Sequence, residues 1–261
     1  MKGSMDSRIR QDRFTEARRA GERIDDLQHK GRFLLQKEAA FCFSLDAVLL
    51  AHFADLKKGE QILDLGTGTG VLPILLADAE RRLHFAAIER QTEMAELAAR
   101  NVELNALIGE IRVIEGDYRE MNRHCARESF DVVLSNPPFF AVGDGRESPV
   151  ESIAHARHEH TATLTDTLEA ARYALKFGGR LYMIHRASRL EEIAGCLSEK
   201  KFALKRLRCI HPFADREADL ILIEARKGGK AGVRIDPPFV VREAGGDYST
   251  ELKDYYREET V

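Results

Sequence analysis

One short run constrains the fold of this chain more than any other. Gln61-Ile62-Leu63-Asp64-Leu65 is a compact apolar stretch, and Gly66-Thr67-Gly68-Thr69-Gly70 follows at once. Val71 to Ala79 then has the composition of a buried helix. A buried strand that runs through a glycine turn into a helix is the opening unit of an open, mostly parallel α/β sheet. The glycines permit backbone angles that other residues resist, and they let a ligand approach the main chain closely. At 261 residues the chain can bury one large core of this kind.

The rest of the chain repeats the pattern. Strands are expected at His84–Ile88, closing at Glu89, then at Ile111–Ile114, Phe130–Leu134 and Arg180–His185. Helices are expected at Leu45–Phe53, Glu93–Asn105, Thr165–Lys176 and Leu190–Glu199, the third of them closed by Gly178-Gly179. Phe33-Leu34-Leu35 is a further short strand candidate. Two last strands, around Ala203–Ile210 and Asp219–Ala225, have no helical pattern between them. They read as a hairpin, which makes the final strand antiparallel at or near the sheet edge. Residues 1–31 read as a basic arm or loosely docked helix, and residues 32–261 as a single domain.

Composition excludes several classes. No stretch reaches the roughly 18 apolar residues of a membrane span, and no N-terminal segment is laid out as a signal peptide. Cys42, Cys125, Cys196 and Cys209 form no CxxC pair, so neither a zinc site nor a disulfide framework is expected, and the cytoplasm is the default compartment. The net charge of -3 conceals an uneven distribution. Residues 1–32 hold nine Lys and Arg against six Asp and Glu, and residues 200–234 hold ten against four. Lys200, Lys201, Lys205, Arg206 and Arg208 in the second segment are candidate phosphate contacts, or else a solvated edge strand.

The glycine turn carries its own chemical hint. Asp64 stands two residues before Gly66, where it would repel a pyrophosphate. The ligand end facing it is therefore cationic, such as an amino-acid ammonium or a sulfonium. Glu89 closes the second strand of this unit and suits a pair of ribose hydroxyls. Asp117, after the third, is placed to accept from an adenine amino group. One such acid is usually a solvated loop residue; three at successive strand ends, on the face where open α/β sheets bind ligands, point to a site. Thr67, Gly68 and Gly70 in the turn, with Arg90 and Tyr118 beside the later acids, complete its expected lining.

Asn136-Pro137-Pro138-Phe139 follows the fourth strand of the series. By itself such a run marks a turn. Placed there, it suits a planar exocyclic amine, whose delocalised lone pair makes it a poor nucleophile. The Asn136 side-chain carbonyl and the Pro137 backbone carbonyl can each accept one amine hydrogen, favouring a pyramidal nitrogen with its lone pair aimed at an electrophile. Asn136 thereby also borders the cofactor. Proline offers a carbonyl with no competing N–H, and Phe139 can stack on a flat ring.

Together these residues resemble class I S-adenosylmethionine-dependent methyltransferases of the N-methylating branch. Phe41-Cys42-Phe43-Ser44-Leu45-Asp46-Ala47-Val48-Leu49-Leu50-Ala51, Ala156-Arg157-His158-Glu159 and Gly179-Arg180-Leu181-Tyr182 are similar to segments of bacterial tRNA adenine-N6 methyltransferases, which modify the adenosine beside the anticodon of a valine tRNA. The likeness extends over roughly residues 22 to 250. It implies a Rossmann-like seven-stranded sheet, mostly parallel with an antiparallel last strand, and helices on both faces. It implies S-adenosylmethionine held by Gly66, Gly68, Glu89 and Asp117, with Ser44 and Asp46 over the methionine end. It also implies a target adenine held by Asn136, Pro137, Pro138 and Phe139, and a tRNA partner. Some relatives carry Tyr in place of Phe139; either ring can stack.

Two further features admit a second reading. His155, His158 and His160 form an H-x-x-H-x-H cluster, read as a polar substrate loop rather than a metal site. Asp236-Pro237-Pro238-Phe239 echoes the Asn-Pro-Pro-Phe run but follows no expected parallel strand, so it reads as an extended terminal segment. Competing functions are N-methylation of guanine N2 in ribosomal RNA, N-methylation of a protein glutamine amide, and a non-catalytic cofactor- and RNA-binding module. A small-molecule O-methyltransferase would more often use a metal or a histidine base.

Overall fold

The computed structural model describes residues 17–38, 45–137 and 162–256. Ser44, Pro138, Phe139 and the three histidines of the 155–160 loop lie outside them.

The elements in chain order are β1 (Glu22–Asp26), β2 (Phe33–Lys37), α1 (Leu45–Phe53), β3 (Gln61–Leu65), α2 (Val71–Leu76), β4 (His84–Glu89), α3 (Thr92–Leu104) and β5 (Ile111–Glu115). A 3-10 turn (Tyr118–Arg123) leads to β6 (Phe130–Ser135), α4 (Leu164–Ala174), β7 (Leu175–Arg186), α5 (Leu190–Glu199), β8 (Phe202–Phe213) and β9 (Leu220–Lys227). The short β10 (Arg234–Ile235), β11 (Phe239–Arg242) and α6 (Thr250–Tyr255) end the chain.

The main sheet runs β10-β8-β9-β7-β6-β3-β4-β5, with β11 also pairing β8. Strands β3 to β7 are parallel, and β9 is antiparallel to both β7 and β8. Seven strands thus form the expected Rossmann-like sheet, and two short ones extend it beyond β8. The last long strand is antiparallel and near the sheet edge, as expected, inserted between β7 and β8. It is apolar on both faces (Ile221, Leu222, Ile223 and Ala225 are buried), which suits an interior place.

Alternation along the strands divides the core. Ile62, Ala87, Val132, Leu134, Tyr182 and Ile184 face α1, α2 and α6. Leu63, Leu65, Ile88, Val133, Leu181 and Met183 face α4 and α5. Because strand side chains alternate with period two, Asp64 and Glu89 belong to the first face, the side covered by α1 and α2.

Three sequence expectations change. Glu22–Asp26, taken as arm or helix, is a strand paired antiparallel with β2 across a turn at residues 27–32. Gly178-Gly179 does not close a helix: α4 ends at Ala174, its cap Leu175 is already extended, and both glycines lie inside β7 at a register shift against β6. Asp236-Pro237-Pro238 is extended, as read, but it lies between two short strands that both pair parallel with β8.

The basic residues in and just before β8 are mostly engaged within the fold. Lys200 pairs with Glu169 at 2.5 Å, and the Lys205 ammonium donates to the carbonyls of Lys230 and Gly232 at 3.2 and 2.8 Å. Arg206 lies over the Phe53 ring and faces Glu224 and Asp236. Arg208 donates to Glu251 and to the Pro237 carbonyl. Lys205, Arg206 and Arg208 thereby fasten the C-terminal segment to the sheet, while Lys200 ties α5 to α4.

Candidate functional site

The site forms where the strand order reverses. β3 is flanked by β4 on one side and β6 on the other, so the loops leaving β3 and β6 diverge over a crevice at the carboxyl ends of the strands. Leu65 pairs with Ser135, and Asn136 therefore emerges next to Gly66. The two motifs are thus neighbours although 70 positions separate them in sequence.

The turn after β3 depends on its glycines. Gly66, Gly68 and Gly70 have φ of 71°, 57° and 81°, a left-handed region that side chains resist. Between them Gly66 and Thr67 donate N–H bonds to the Ile88 carbonyl, each at 3.0 Å, and Gly70 donates to Thr67. The turn is thereby seated on β4 before α2 begins.

Glu89 secures the same turn. One carboxylate oxygen accepts from Gly68 N–H at 3.0 Å and the other from Gln91 N–H at 2.9 Å. The residue is only 7 % exposed. Each oxygen retains an unused lone pair, so a pair of hydroxyls can still be received.

Asp64 is different. It is 1 % exposed, and neither carboxylate oxygen meets a hydrogen-bond partner in the described structure. Burial, reinforced by repulsion from Glu89, pushes its carboxyl up to about 7. The Thr67 hydroxyl beside it pulls the other way without reaching hydrogen-bond geometry, and that hydroxyl is itself buried and unpartnered. A buried acid without partners is costly unless something cationic or hydrogen-donating completes it. The donor set therefore fits a ligand with a positive end over Asp64 and a diol against Glu89, as S-adenosylmethionine has.

The other expected residues are placed as follows. Asp117 caps the 3-10 turn, and its carboxylate is gripped by the Arg119 guanidinium and N–H, which hold its pKa below the usual carboxylate value. It borders the site but is already engaged. Tyr118 is half-buried, bonds Thr167 through its hydroxyl at 3.1 Å, and lays its ring against Gly66. Arg90 is exposed. Asp46 is half-buried in the first turn of α1. Asn136 and Pro137 are half-buried at the end of β6. Among the described residues no cluster of His, Cys, Asp or Glu could hold a metal ion, and no helix is long and apolar enough to cross a membrane.

Sequence reasoning missed two residues near this site. His185 stands on β7 two positions beyond the pairing of Met183 with Ser135. It is 1 % exposed, and burial together with Arg189 pushes its pKa down to about 4, so the ring is neutral near pH 7. Asn101, on α3, donates from its amide to the carbonyl of Thr69 in the glycine turn at 2.9 Å. Its only sequence signal is an Asn on the otherwise apolar face of a helix.

Comparison with known proteins agrees with this geometry. Residues 44–200 match the family described as the methyltransferase small domain. The chain is 27% identical over 229 residues to the tRNA1(Val) (adenine(37)-N6)-methyltransferase of Histophilus somni (strain 129Pt), covering 85% of this chain and 92% of that one. It is 32% identical over 130 residues to the enzyme of the same name from Actinobacillus pleuropneumoniae serotype 5b (strain L20), covering 49% and 54%. Among solved structures it resembles a predicted O-methyltransferase, protein Atu636 from Agrobacterium tumefaciens, with a TM-score of 0.66 and 26% identity over 81% of this chain and 95% of that one. Pyrococcus horikoshii TYW2, crystallised with MeSAdo, shares the fold at a TM-score of 0.56 and 15% identity, covering 81% and 73%.

Proposed function

Because this chain belongs to the methyltransferase small domain family, we propose that it transfers a methyl group from S-adenosylmethionine to the exocyclic N6 of an adenine in the anticodon loop of a tRNA. The observation that carries the reading is the emergence of Asn136 from β6 beside Gly66 of the cofactor turn. The curated relatives named for adenine-N6 methylation of a tRNA support the choice of substrate. A tRNA substrate sets the work in the cytoplasm.

S-adenosylmethionine supplies a methyl on a positively charged sulfur and departs as S-adenosylhomocysteine. The chain's own residues bind and orient. Asp64, ionised, would hold the cationic methionine end, the end to which the resemblance also assigns Ser44 and Asp46. Glu89 would receive the ribose hydroxyls, and Tyr118 and Asp117 would bind the adenine of the cofactor. Thr67 and the glycines shape the turn, and Arg90 lies at its rim.

The target amine donates one hydrogen to the Asn136 side-chain carbonyl and one to the Pro137 carbonyl. Held in this way, the nitrogen lone pair would be aimed at the methyl that S-adenosylmethionine would supply from its sulfonium. The proton then leaves the methylated nitrogen for solvent, so no strong general base is required. Pro138 and Phe139 hold the ring, Phe139 by stacking. Loop adenines are weakly stacked, and extruding one costs less than from a duplex.

Asn136→Ala tests the assignment. Losing a group that acts on the reacting nitrogen should lower kcat by about 100-fold or more, with the dissociation constant for S-adenosylhomocysteine unchanged. A variant with near-normal turnover would contradict the role given to Asn136.

A further inference from the structure

The hairpin of β1 and β2 stands apart from the main sheet, yet Phe33 and Leu35 on one edge of β2 have both backbone groups hydrogen-bonded. Its partner is a helix. Asn101 Oδ1 accepts from Leu35 N–H at 2.6 Å, and its amide nitrogen donates to the Leu35 carbonyl at 3.1 Å. Asn105 treats Phe33 the same way, at 2.9 and 2.7 Å. The match is geometric. Four residues of helix rise about 6 Å, close to the roughly 6.6 Å between alternate residues of a strand, so two amides at i and i+4 imitate a neighbouring strand.

Each amide has one N–H left, and the two differ in where it goes. Asn105 returns its own to the Asn101 backbone carbonyl at 2.7 Å. Asn101 gives it to the Thr69 carbonyl, between Gly68 and Gly70 of the cofactor turn, at 2.9 Å. Asn101 is 0 % exposed and uses both its donors and its acceptor. Flipping the amide would oppose its NH2 to Leu35 N–H, so the backbone fixes its orientation.

The same hairpin grips the far end of the helix that leaves the turn. The buried Arg32 guanidinium donates to the carbonyls of Ile74, Leu75 and Ala77, the C-terminal end of α2 and its cap. Glu22 pairs with Arg100 at 2.7 Å, and Leu35 packs on Leu97 and Leu104. The hairpin therefore spans α2, with a hold at each end.

We propose that Asn101 is a positioning residue for the cofactor turn, and that through it the hairpin of β1 and β2 is coupled to S-adenosylmethionine binding. A cofactor that orders the turn tightens the hairpin, and a loosened hairpin weakens the cofactor by the same factor. The inference rests on the assignment of the glycine turn to the cofactor.

Asn105→Ala is a built-in control, since it removes the same two bonds to β2 but leaves Thr69 alone. Calorimetric titration of the full chain with S-adenosylhomocysteine should show Asn101→Ala binding about five- to tenfold more weakly and Asn105→Ala within about twofold of wild type. Asn101→Ala should raise KM for S-adenosylmethionine with kcat at saturation preserved. Wild-type affinity in Asn101→Ala, or equal losses in both variants, would overturn the proposal. Hydrogen exchange on the unaltered protein decides the matter even if a variant fails to fold. Exchange across residues 22–37 should slow when S-adenosylhomocysteine binds, and an unchanged rate in a protein that binds it would overturn the coupling. If the unaltered protein does not bind S-adenosylhomocysteine, the cofactor assignment itself falls.

Discussion

Asp64 is the residue whose burial makes least sense without a ligand. Its carboxyl sits at about 7 in the fold, whereas an aspartate in an unfolded chain titrates near 4. The folded protein thus holds this proton more tightly. The stability contributed by the group is complete below about pH 4 and declines as pH rises through about 7. Asp64→Asn should remove that part of the decline, so its melting temperature should exceed that of wild type more at pH 8 than at pH 5 when both are followed by thermal denaturation. A constant difference across that range would show that Asp64 does not titrate there. The same variant should bind S-adenosylhomocysteine more weakly, because the amide cannot offset the ammonium charge. In wild type, affinity should rise with pH through about 7 as the carboxylate forms. Asp64 and the three glycines were legible in sequence because local physics specifies them: a left-handed turn needs glycine, and an acid beside it repels phosphate. Asn101 was not legible. Its partners, Leu35 and Thr69, lie 66 and 32 positions away, and an Asn on an otherwise apolar helix face does not say what it bonds.

Among the elements, those with a single clear period were found nearly at their true bounds. β3 and α5 match their sequence expectations at both ends, and β4 and β6 differ by at most one residue. The failures have physical causes. β1 reads ERIDD, without the apolar alternation of a half-buried strand, because it forms a two-stranded hairpin outside the main sheet. β7 begins directly after α4, and neither of its glycines caps a helix: Gly178 takes a left-handed φ of 77°, and Gly179 serves close packing. A Cβ on Gly179 would lie 3.0 Å from the Lys176 carbonyl oxygen, 3.1 Å from that of Asp131, and 2.9 Å from Leu175 Cδ2. Two of those neighbours are backbone and cannot move aside cheaply. Gly179→Ala should lower the unfolding free energy by about 1–3 kcal/mol, measured by urea denaturation. A neutral substitution would place the glycine's role back in the turn rather than in packing against β6.

At the scale of the molecule, the sheet order explains how the proposed cofactor motif at residue 66 and the proposed substrate motif at residue 136 can act together. Parallel strands on either side of β3 deliver both loops to one end, and the crossing of the chain leaves a crevice between them. The far edge of the sheet is given over to stability, where Arg206 and Arg208 hold the terminal strands and α6. Lys205, Arg206 and Arg208, which the sequence offered as phosphate contacts or a solvated edge strand, each have partners within the fold. The proposed reaction is defined by the atom that is methylated. Bacterial tRNA incubated with the protein and methyl-labelled S-adenosylmethionine, then digested and resolved by nucleoside mass spectrometry, reads that atom directly. Label is expected in N6-methyladenosine from an anticodon-loop fragment; label in N2-methylguanosine, or in no nucleoside, would contradict the proposed function.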